Sequence, residues 1–180
     1  MAGLYEFVKK IVDGFTKEEL DYAFTGALAA SFYGVPRTTA DVDIVVSVSV
    51  ENAKTRLASA LRLAGLQVDE KRIDDALTSG YKIASFRSRN SPFAVDIIFS
   101  DEIKKRRGTI AGADTFFQVP EDLILAKLRM IKVTVQKEKA LKDEEDVKAI
   151  LRFTEVNRKT VIEKAKKDRT LEIWKRLSGG

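Results

Sequence analysis

The chain has 180 residues, of which 44% are hydrophobic, and it carries a formal net charge of +5 at neutral pH. Cysteine and histidine are both absent, which excludes disulfides, thiolate nucleophiles, Ser-His-Asp triads and the usual zinc sites. Carboxylate, lysine, arginine and hydroxyl groups remain, so any catalytic metal is expected to be Mg²⁺ or Mn²⁺. No apolar run approaches a membrane span, and the start of the chain lacks a signal-peptide pattern. We therefore expect a cytoplasmic protein with no membrane partner.

The net excess of positive charge lies entirely in residues 101–180. Residues 1–100 carry 12 Lys and Arg against 13 Asp and Glu, whereas residues 101–180 carry 20 against 14. A basic half can attract nucleic acid or a nucleoside triphosphate, and helices solvated by lysine explain the excess equally well. A basic run over 104–107 is compatible with nucleic-acid contact, although a solvated turn is the favoured interpretation.

Apolar periodicity predicts helices alternating with short strands up to about residue 118. The predicted elements, in chain order, are a helix from Leu4 to near Gly14, a strand over 22–25, a short helix after Gly26, a strand over 41–46, a helix from Ser49 or Glu51 to Gly65, a helix over 71–78, a hairpin of strands 81–87 and 93–99, a charged helical turn over 101–107, and one or two strands over 109–119.

Beyond residue 118 the pattern is helical throughout. Pro120 begins a long helix, because proline suits the first helical position. A linker-like stretch over 136–142 follows, then a helix over about 143–153 and two more through Trp174, which we interpret as a packing anchor. The sequence thus predicts an α+β fold, with an α/β core over 1–118 and a helical portion over 119–180.

Two aspartates, Asp41 and Asp43, lie two residues apart in the strand predicted over 41–46. On an extended chain both side chains point to one face, while Val42 and Ile44 point to the other. Neighbouring like charges cost free energy unless a cation offsets them, which indicates a divalent metal.

A third carboxylate, Asp96, lies in the other apolar strand. A buried, unpaired carboxylate is costly, so Asp96 needs a cation or a hydrogen-bond partner. If the two strands are neighbours, Asp41, Asp43 and Asp96 converge into a metal site of the kind used in two-metal catalysis. A structural salt bridge between Asp96 and an arginine is the alternative.

Two further features suggest contacts with phosphate. Thr25-Gly26-Ala27 joins a predicted strand to a helix, where backbone N–H groups can hold a phosphate, although such a glycine also has a structural explanation. Lys127 lies on the apolar face of one predicted helix, and Asp143 and Asp146 lie on the apolar face of another. Charges in those positions need partners. Either they serve a site, or Lys127 pairs with Asp143 or Asp146 and ties the helices together.

The order of these motifs resembles the nucleotidyltransferases of the DNA polymerase β superfamily, and within it the small prokaryotic enzymes similar to AbiEii-type toxins. The likeness spans about residues 20 to 152. The residues that carry it are the glycine turn, Tyr33-Gly34-x-Pro36-Arg37-x-Thr39-x-Asp41-x-Asp43, Val95-Asp96, Val119-Pro120-Glu121-Asp122-Leu123-Ile124, Lys127-Leu128, Lys142-Asp143 and Asp146-Val147.

The resemblance implies a nucleotidyltransferase fold and a role for each residue at the site. Asp41, Asp43 and Asp96 would bind Mg²⁺ or Mn²⁺, and Asp96 would also be a base for the acceptor hydroxyl. The implied nucleotide contacts are Thr25, Gly26, Ala27, Arg37, Lys127, Asp143 and Asp146, with Lys127 also assisting catalysis. The implied reaction moves a nucleoside monophosphate from a nucleoside triphosphate to a hydroxyl and releases pyrophosphate.

The partners implied by the resemblance are the nucleoside triphosphate, an acceptor such as a transfer RNA, a protein or a small alcohol, and, for a toxin, an antitoxin. Ala27 departs from the pattern, because the family turn usually has a second glycine or a serine there. A catalytically degenerate protein that binds nucleic acid or protein is therefore an alternative. A different metal-dependent phosphoryl transferase or hydrolase using the same carboxylates is another.

Overall fold

The computed structural model describes residues 2–49 and 51–179. Within them the helices are α1 (Ala2–Lys17), α2 (Gly26–Tyr33), α3 (Ala53–Leu63), α4 (Glu70–Thr78), α5 (Pro120–Val133), α6 (Lys137–Phe153), α7 (Arg158–Asp168) and α8 (Leu171–Ser178). The strands are β1 (Tyr22–Phe24), β2 (Asp41–Ser47), β3 (Ile83–Arg87), β4 (Ala94–Ser100), β5 (Lys105–Ile110) and β6 (Ala113–Gln118). None of the helices described is long and apolar enough to cross a membrane.

The strands form one mixed sheet in the order β3-β4-β2-β1-β6-β5. The β2–β4 and β1–β6 pairs are parallel, and the other neighbours are antiparallel. This arrangement confirms the predicted α+β fold with a mixed sheet, flanking helices and a helical C-terminal portion. It also confirms the predicted hairpin, since β3 and β4 pair directly.

By their contacts the residues divide into two compact units. We call the first the sheet unit, which consists of the residues up to Thr25 together with Thr38–Gln118. The second, the helical unit, consists of Gly26–Arg37 and the chain from Val119 onward. The short helix α2 therefore belongs with the C-terminal helices, although it lies between two strands in sequence.

In the sheet unit, one face of the sheet is apolar from strand to strand. Phe117, Phe24, Ile44 and Ile97 follow one another across β6, β1, β2 and β4, and all four are fully buried. Helix α1 packs on this face, where the Phe15 ring meets Tyr22 edge-on with 5.0 Å between ring centroids. The alternation of side chains in each strand therefore directs the polar positions to the opposite face.

Helix α1 does not end near Gly14, as the sequence suggested, but continues to Lys17. A Cβ atom at Gly14 would lie 2.7 Å from the carbonyl oxygen of Ala60 in α3. The glycine is thus a point of close helix-to-helix contact within the sheet unit and not a helix terminator.

In the helical unit, α5 packs against α6 and α7, and α2 packs against α6. A Cβ atom at Gly34 would lie 3.0 Å from the Cβ of Ala149, so glycine permits the close approach of these two segments. Trp174 is 2% exposed, which confirms its interpretation as a packing anchor.

Two predicted segments differ in the structure. Residues 105–107, expected in a charged helical turn, form the start of β5 and pair with β6. The linker expected over 136–142 is largely helical, because α6 begins at Lys137. Neither segment has an apolar pattern of its own, so its conformation comes from pairing or helix propagation rather than from burial.

Candidate active site

A row of polar residues crosses the second face of the sheet. Asp43 and Asp96 are register partners on the parallel strands β2 and β4, and Ser85 of β3 is opposite Asp96. On the other side, the Thr25 N–H donates to the Asp43 carbonyl oxygen at 2.9 Å, and the Thr25 hydroxyl donates to Gln118 Oε1 at 2.6 Å. The row therefore runs from β6 to β3 with the two carboxylates at its centre.

The strand pairing brings together the aspartates predicted from the sequence. Strands β2 and β4 are neighbours, and Asp41, Asp43 and Asp96 all occupy the polar face. Asp41 is one row from the pair, in register with Ala94. Asp41 is exposed, whereas Asp43 and Asp96 are half-buried. Asp96 thus has more contact with water than its apolar strand suggested.

The arginine salt bridge considered for Asp96 is not formed. Across residues 2–49 and 51–179, the Asp96 carboxylate makes neither an ion pair nor a hydrogen bond, and the same holds for the Asp41 carboxylate. The carboxylates of Asp43 and Asp96 lie opposite one another on adjacent strands and repel each other. A cation that binds between them relieves this repulsion.

The carboxylates fit a hard cation that arrives with phosphate ligands. Within the described part of the chain, no three acidic side chains already form a group able to hold a metal ion. Mg²⁺, however, is usually bound by one or two carboxylates together with water and substrate phosphates. Asp43 and Asp96 provide such a pair, and Asp41 would join it by rotation of its exposed side chain.

Thr25 anchors β2, the strand on which Asp41 and Asp43 lie. It is 5% exposed, and its backbone and side chain bond to β2 and to Gln118 respectively. The sequence analysis missed Gln118. Its only signal is that a polar residue follows Phe116-Phe117 at the end of the strand, immediately before Val119-Pro120.

Gly26 and Ala27 begin α2 in the helical unit. Gly26 has a φ of 58°, in the left-handed region that favours glycine. Ala27 is 6% exposed, so its methyl group is part of the packing of that unit. As first residues of a helix, both have backbone N–H groups without helical partners, which is the feature that binds phosphate in such turns.

Four other residues predicted for the site form one charge cluster in the helical unit. Lys127 Nζ lies 2.9 Å from Asp143 Oδ1 and 2.7 Å from Asp146 Oδ2. Arg37 Nη2 lies 3.1 Å from the same Asp146 oxygen. Lys127 and Asp146 are only 5% and 7% exposed. The helix-face argument correctly indicated that these inward charges need partners.

This cluster consists of the contacts expected if the residues tie α5 to α6. The side chain of Arg37 is nonetheless 32% exposed, so its guanidinium can also reach a ligand from solvent. The assignment of Arg37, Lys127, Asp143 and Asp146 to nucleotide binding stays a prediction.

No family model matches the sequence, and no curated protein sequence matches it. Solved structures do match. The solution structure of the antibiotic-resistance factor ANT(2'')-Ia is 13% identical, with 99% of both chains covered and a TM-score of 0.65. A crystal structure of ANT(2'')-Ia in complex with adenylyl-2''-tobramycin is 14% identical, with 99% of both chains covered and a TM-score of 0.60.

A third match is an antigenic nucleotidyltransferase-like protein from Paracoccidioides brasiliensis. It is 14% identical, with 96% of this chain and 87% of that chain covered and a TM-score of 0.66. At these identities the similarity establishes the fold. The chain has a polymerase β-like nucleotidyltransferase fold, as the order of its motifs predicted.

Proposed function

We propose, starting from this nucleotidyltransferase fold, that the protein is a metal-dependent nucleotidyltransferase. It moves a nucleoside monophosphate from a nucleoside triphosphate to a hydroxyl acceptor and releases pyrophosphate. The observation that supports the proposal most strongly is the position of Asp43 and Asp96 opposite one another on parallel strands, on the polar face of the sheet. Like charges opposite one another on adjacent strands destabilise a sheet unless a cation offsets them, which favours a metal site at this position.

Asp43, Asp96 and Asp41 are the residues that would hold Mg²⁺ or Mn²⁺. The ion would supply charge to the triphosphate and lower the pKa of the acceptor hydroxyl. Asp96, whose carboxylate has no partner among the described residues, accepts the proton of that hydroxyl. The hydroxyl oxygen then forms a bond to the α-phosphorus, and the bond from that phosphorus to the bridging oxygen of pyrophosphate breaks.

The acceptor class is open to experiment at this stage. The similar ANT(2'')-Ia structure contains an adenylylated small molecule, and the sequence resemblance to AbiEii-type toxins implies a transfer RNA or protein acceptor and an antitoxin partner. A toxin assignment predicts that expression of the wild-type protein arrests growth of a bacterial host and that the Asp43→Asn variant does not. Growth arrest by both proteins, or by neither, contradicts the toxin assignment.

The proposal is tested by calorimetric titration of the four nucleoside triphosphates into the protein, with Mg²⁺ and with EDTA. We expect Mg²⁺-dependent binding that is lost in Asp43→Asn and Asp96→Asn. Turnover should fall by at least about 100-fold, because even the partners that orient metal ligands contribute 10- to 100-fold. Asp101→Asn is the matched control, because Asp101 directly follows β4, the strand that carries Asp96, and its side chain is 83% exposed.

Two results would argue for other functions. Release of inorganic phosphate in place of pyrophosphate would indicate a hydrolase or another phosphoryl transferase. Absence of nucleotide binding, together with salt-sensitive binding of nucleic acid that needs no Mg²⁺, would indicate a degenerate binding protein. The buried methyl of Ala27, where the family turn usually has glycine or serine, is the observation that favours this second candidate.

A further inference from the structure

A cavity of about 390 Å³ opens at the edge strand β3, within the sheet unit. Three of its lining residues are arginines, namely Arg72 of α4, Arg87 of β3 and Arg89 just beyond it. Gln67, Asp69 and Phe86 also line it. Asp69 is the only acidic residue among the lining residues, and its carboxylate accepts a hydrogen bond from the Lys71 N–H, where it caps α4. The cavity therefore has an excess of positive charge.

These arginines lack the local neutralisation that Lys105 and Arg107 of the sheet unit have. Lys105 pairs with Asp21, and Arg107 pairs with Asp114 at 2.6 Å. By contrast, the side chains of Arg87 and Arg89 make no ion pair or hydrogen bond with any described residue, and Arg72 donates only to the Ser85 carbonyl oxygen at 3.1 Å. Three guanidinium groups around one cavity repel each other, so an anion bound there is favoured.

Arg87 is also a close neighbour of the carboxylate row. Ser85 lies opposite Asp96, so Arg87, two residues further along β3, is the diagonal neighbour of Asp96 on the same face. Such neighbours have Cα atoms about 7–8 Å apart, within reach of an arginine side chain. Arg87 does not pair with Asp96, and it is one of the residues that line the cavity. The guanidinium is thus available to a ligand that extends towards Asp96.

We propose that this cavity binds a phosphate group of the acceptor, an inference that rests on the proposed nucleotidyl transfer. Guanidinium groups bind phosphate through paired N–H donors, which is why arginine is the common choice for such sites. Because Arg87 both lines the cavity and is the diagonal neighbour of Asp96, the acceptor has a phosphate about 10 Å or less from its reacting hydroxyl. A phosphodiester of a nucleic-acid strand and the phosphate of a small phosphorylated alcohol both meet this description.

The experiment measures anion binding with EDTA present and no nucleoside triphosphate. The probes are a fluorescein-labelled single-stranded RNA of 12 nucleotides, followed by anisotropy, and ribose 5-phosphate, followed by calorimetry. The test variant is Arg87→Ala/Arg89→Ala, and Arg87→Gln/Arg89→Gln repeats it with longer side chains. The control, Arg62→Ala/Lys71→Ala, removes the same charge from α3 and α4 at positions that do not line the cavity.

We expect the test variants to bind at least about tenfold more weakly than wild type, since each lost contact is a hydrogen bond to a charged group. For RNA, the slope of log K against log salt should fall by about 1.4, at roughly 0.7 per lost phosphate contact. The control should stay within about twofold of wild type. Binding of RNA alone identifies a nucleic-acid acceptor, and binding of ribose 5-phosphate identifies a small phosphorylated one.

The proposal is overturned if neither probe binds, if the test variants bind as well as wild type, or if the control loses as much affinity. A parallel titration of wild type with ATP and Mg²⁺ separates this result from the proposed function. If ATP does not bind while RNA binding depends on Arg87 and Arg89, nucleotidyl transfer fails and the anion site is retained.

Discussion

Replacing Lys127 by methionine should destabilise the helical unit. The substitution keeps the length of the side chain and removes the cation that lies 2.9 Å from Asp143 and 2.7 Å from Asp146. Losing one partner of a buried ion pair costs about 3–5 kcal/mol. Arg37 still contacts Asp146, and Asp143 is 19% exposed at its side chain. We therefore expect a loss near the lower end, about 3 kcal/mol.

Urea unfolding followed by the fluorescence of Trp174 measures this loss directly. Trp174 is the only tryptophan of the chain, and it is buried in the same unit. Lys132→Met is the matched control. Lys132 is exposed, and its amine donates to the backbone carbonyl oxygen of Asp168. The free energy of unfolding of this control should therefore change by no more than about 0.5 kcal/mol.

A second substitution tests the cause of the loss. In Lys127→Met/Asp143→Asn the carboxylate that Lys127→Met leaves without a cation among the described residues is gone, and at least about 1 kcal/mol should be recovered. A loss below about 1 kcal/mol in Lys127→Met, or no recovery in the double variant, would refute the account of the cluster as buried and mutually dependent. Intact stability combined with lost nucleotide binding would instead identify Lys127 as a nucleotide contact.

Three further outcomes are expected. Asp96→Asn should raise the free energy of unfolding by up to about 1 kcal/mol, because it removes a like charge opposite Asp43; a lower stability would contradict this. Gly14→Ala should lose about 1–3 kcal/mol by circular dichroism, because its Cβ would meet Ala60 at 2.7 Å; an unchanged value would contradict the close contact. Burial raises the pKa of Tyr22 above 10.0. The contribution of Tyr22 to the free energy of unfolding is therefore present below about pH 10 and is lost at higher pH, because the tyrosine ionises first in the unfolded chain. Tyr22→Phe should flatten the fall in stability between pH 9 and 11, and equal slopes would contradict it.

The sequence was most informative where burial and chemistry coincide. Strand β2 combines an apolar face with Asp41 and Asp43, and its alternation correctly predicted which side chains share a face. The inward position of Lys127 correctly indicated that a buried partner exists. Both inferences depend on the period of a single element, which a local pattern contains.

The sequence was least informative where structure depends on distant partners. Strand β5 begins Lys105-Arg106-Arg107, a run with no apolar alternation, and its conformation is set by pairing with β6. The hydrogen bond from Thr25 to Gln118 joins residues 93 positions apart. The arginine cavity likewise combines residues from α4 and β3, which no single motif contains.

The division of the chain into two units limits how its segments can be separated. The backbone passes from one unit to the other after Thr25, after Arg37 and after Gln118, so neither unit is a continuous stretch of sequence. A fragment ending at residue 118 would retain α2 without α5 and α6, and would expose its buried apolar side chains to water.

The same arrangement delays completion of the helical unit during synthesis. The Thr154 hydroxyl donates to the Tyr33 carbonyl oxygen at 2.7 Å across 121 positions, so the end of α2 acquires this partner only after most of the chain has left the ribosome. Until then a largely apolar helix is without its neighbours, which favours aggregation or chaperone binding. Gene fusions and truncations designed at residue 118 should therefore give insoluble products, and the helical unit cannot be transferred to another protein as one cassette.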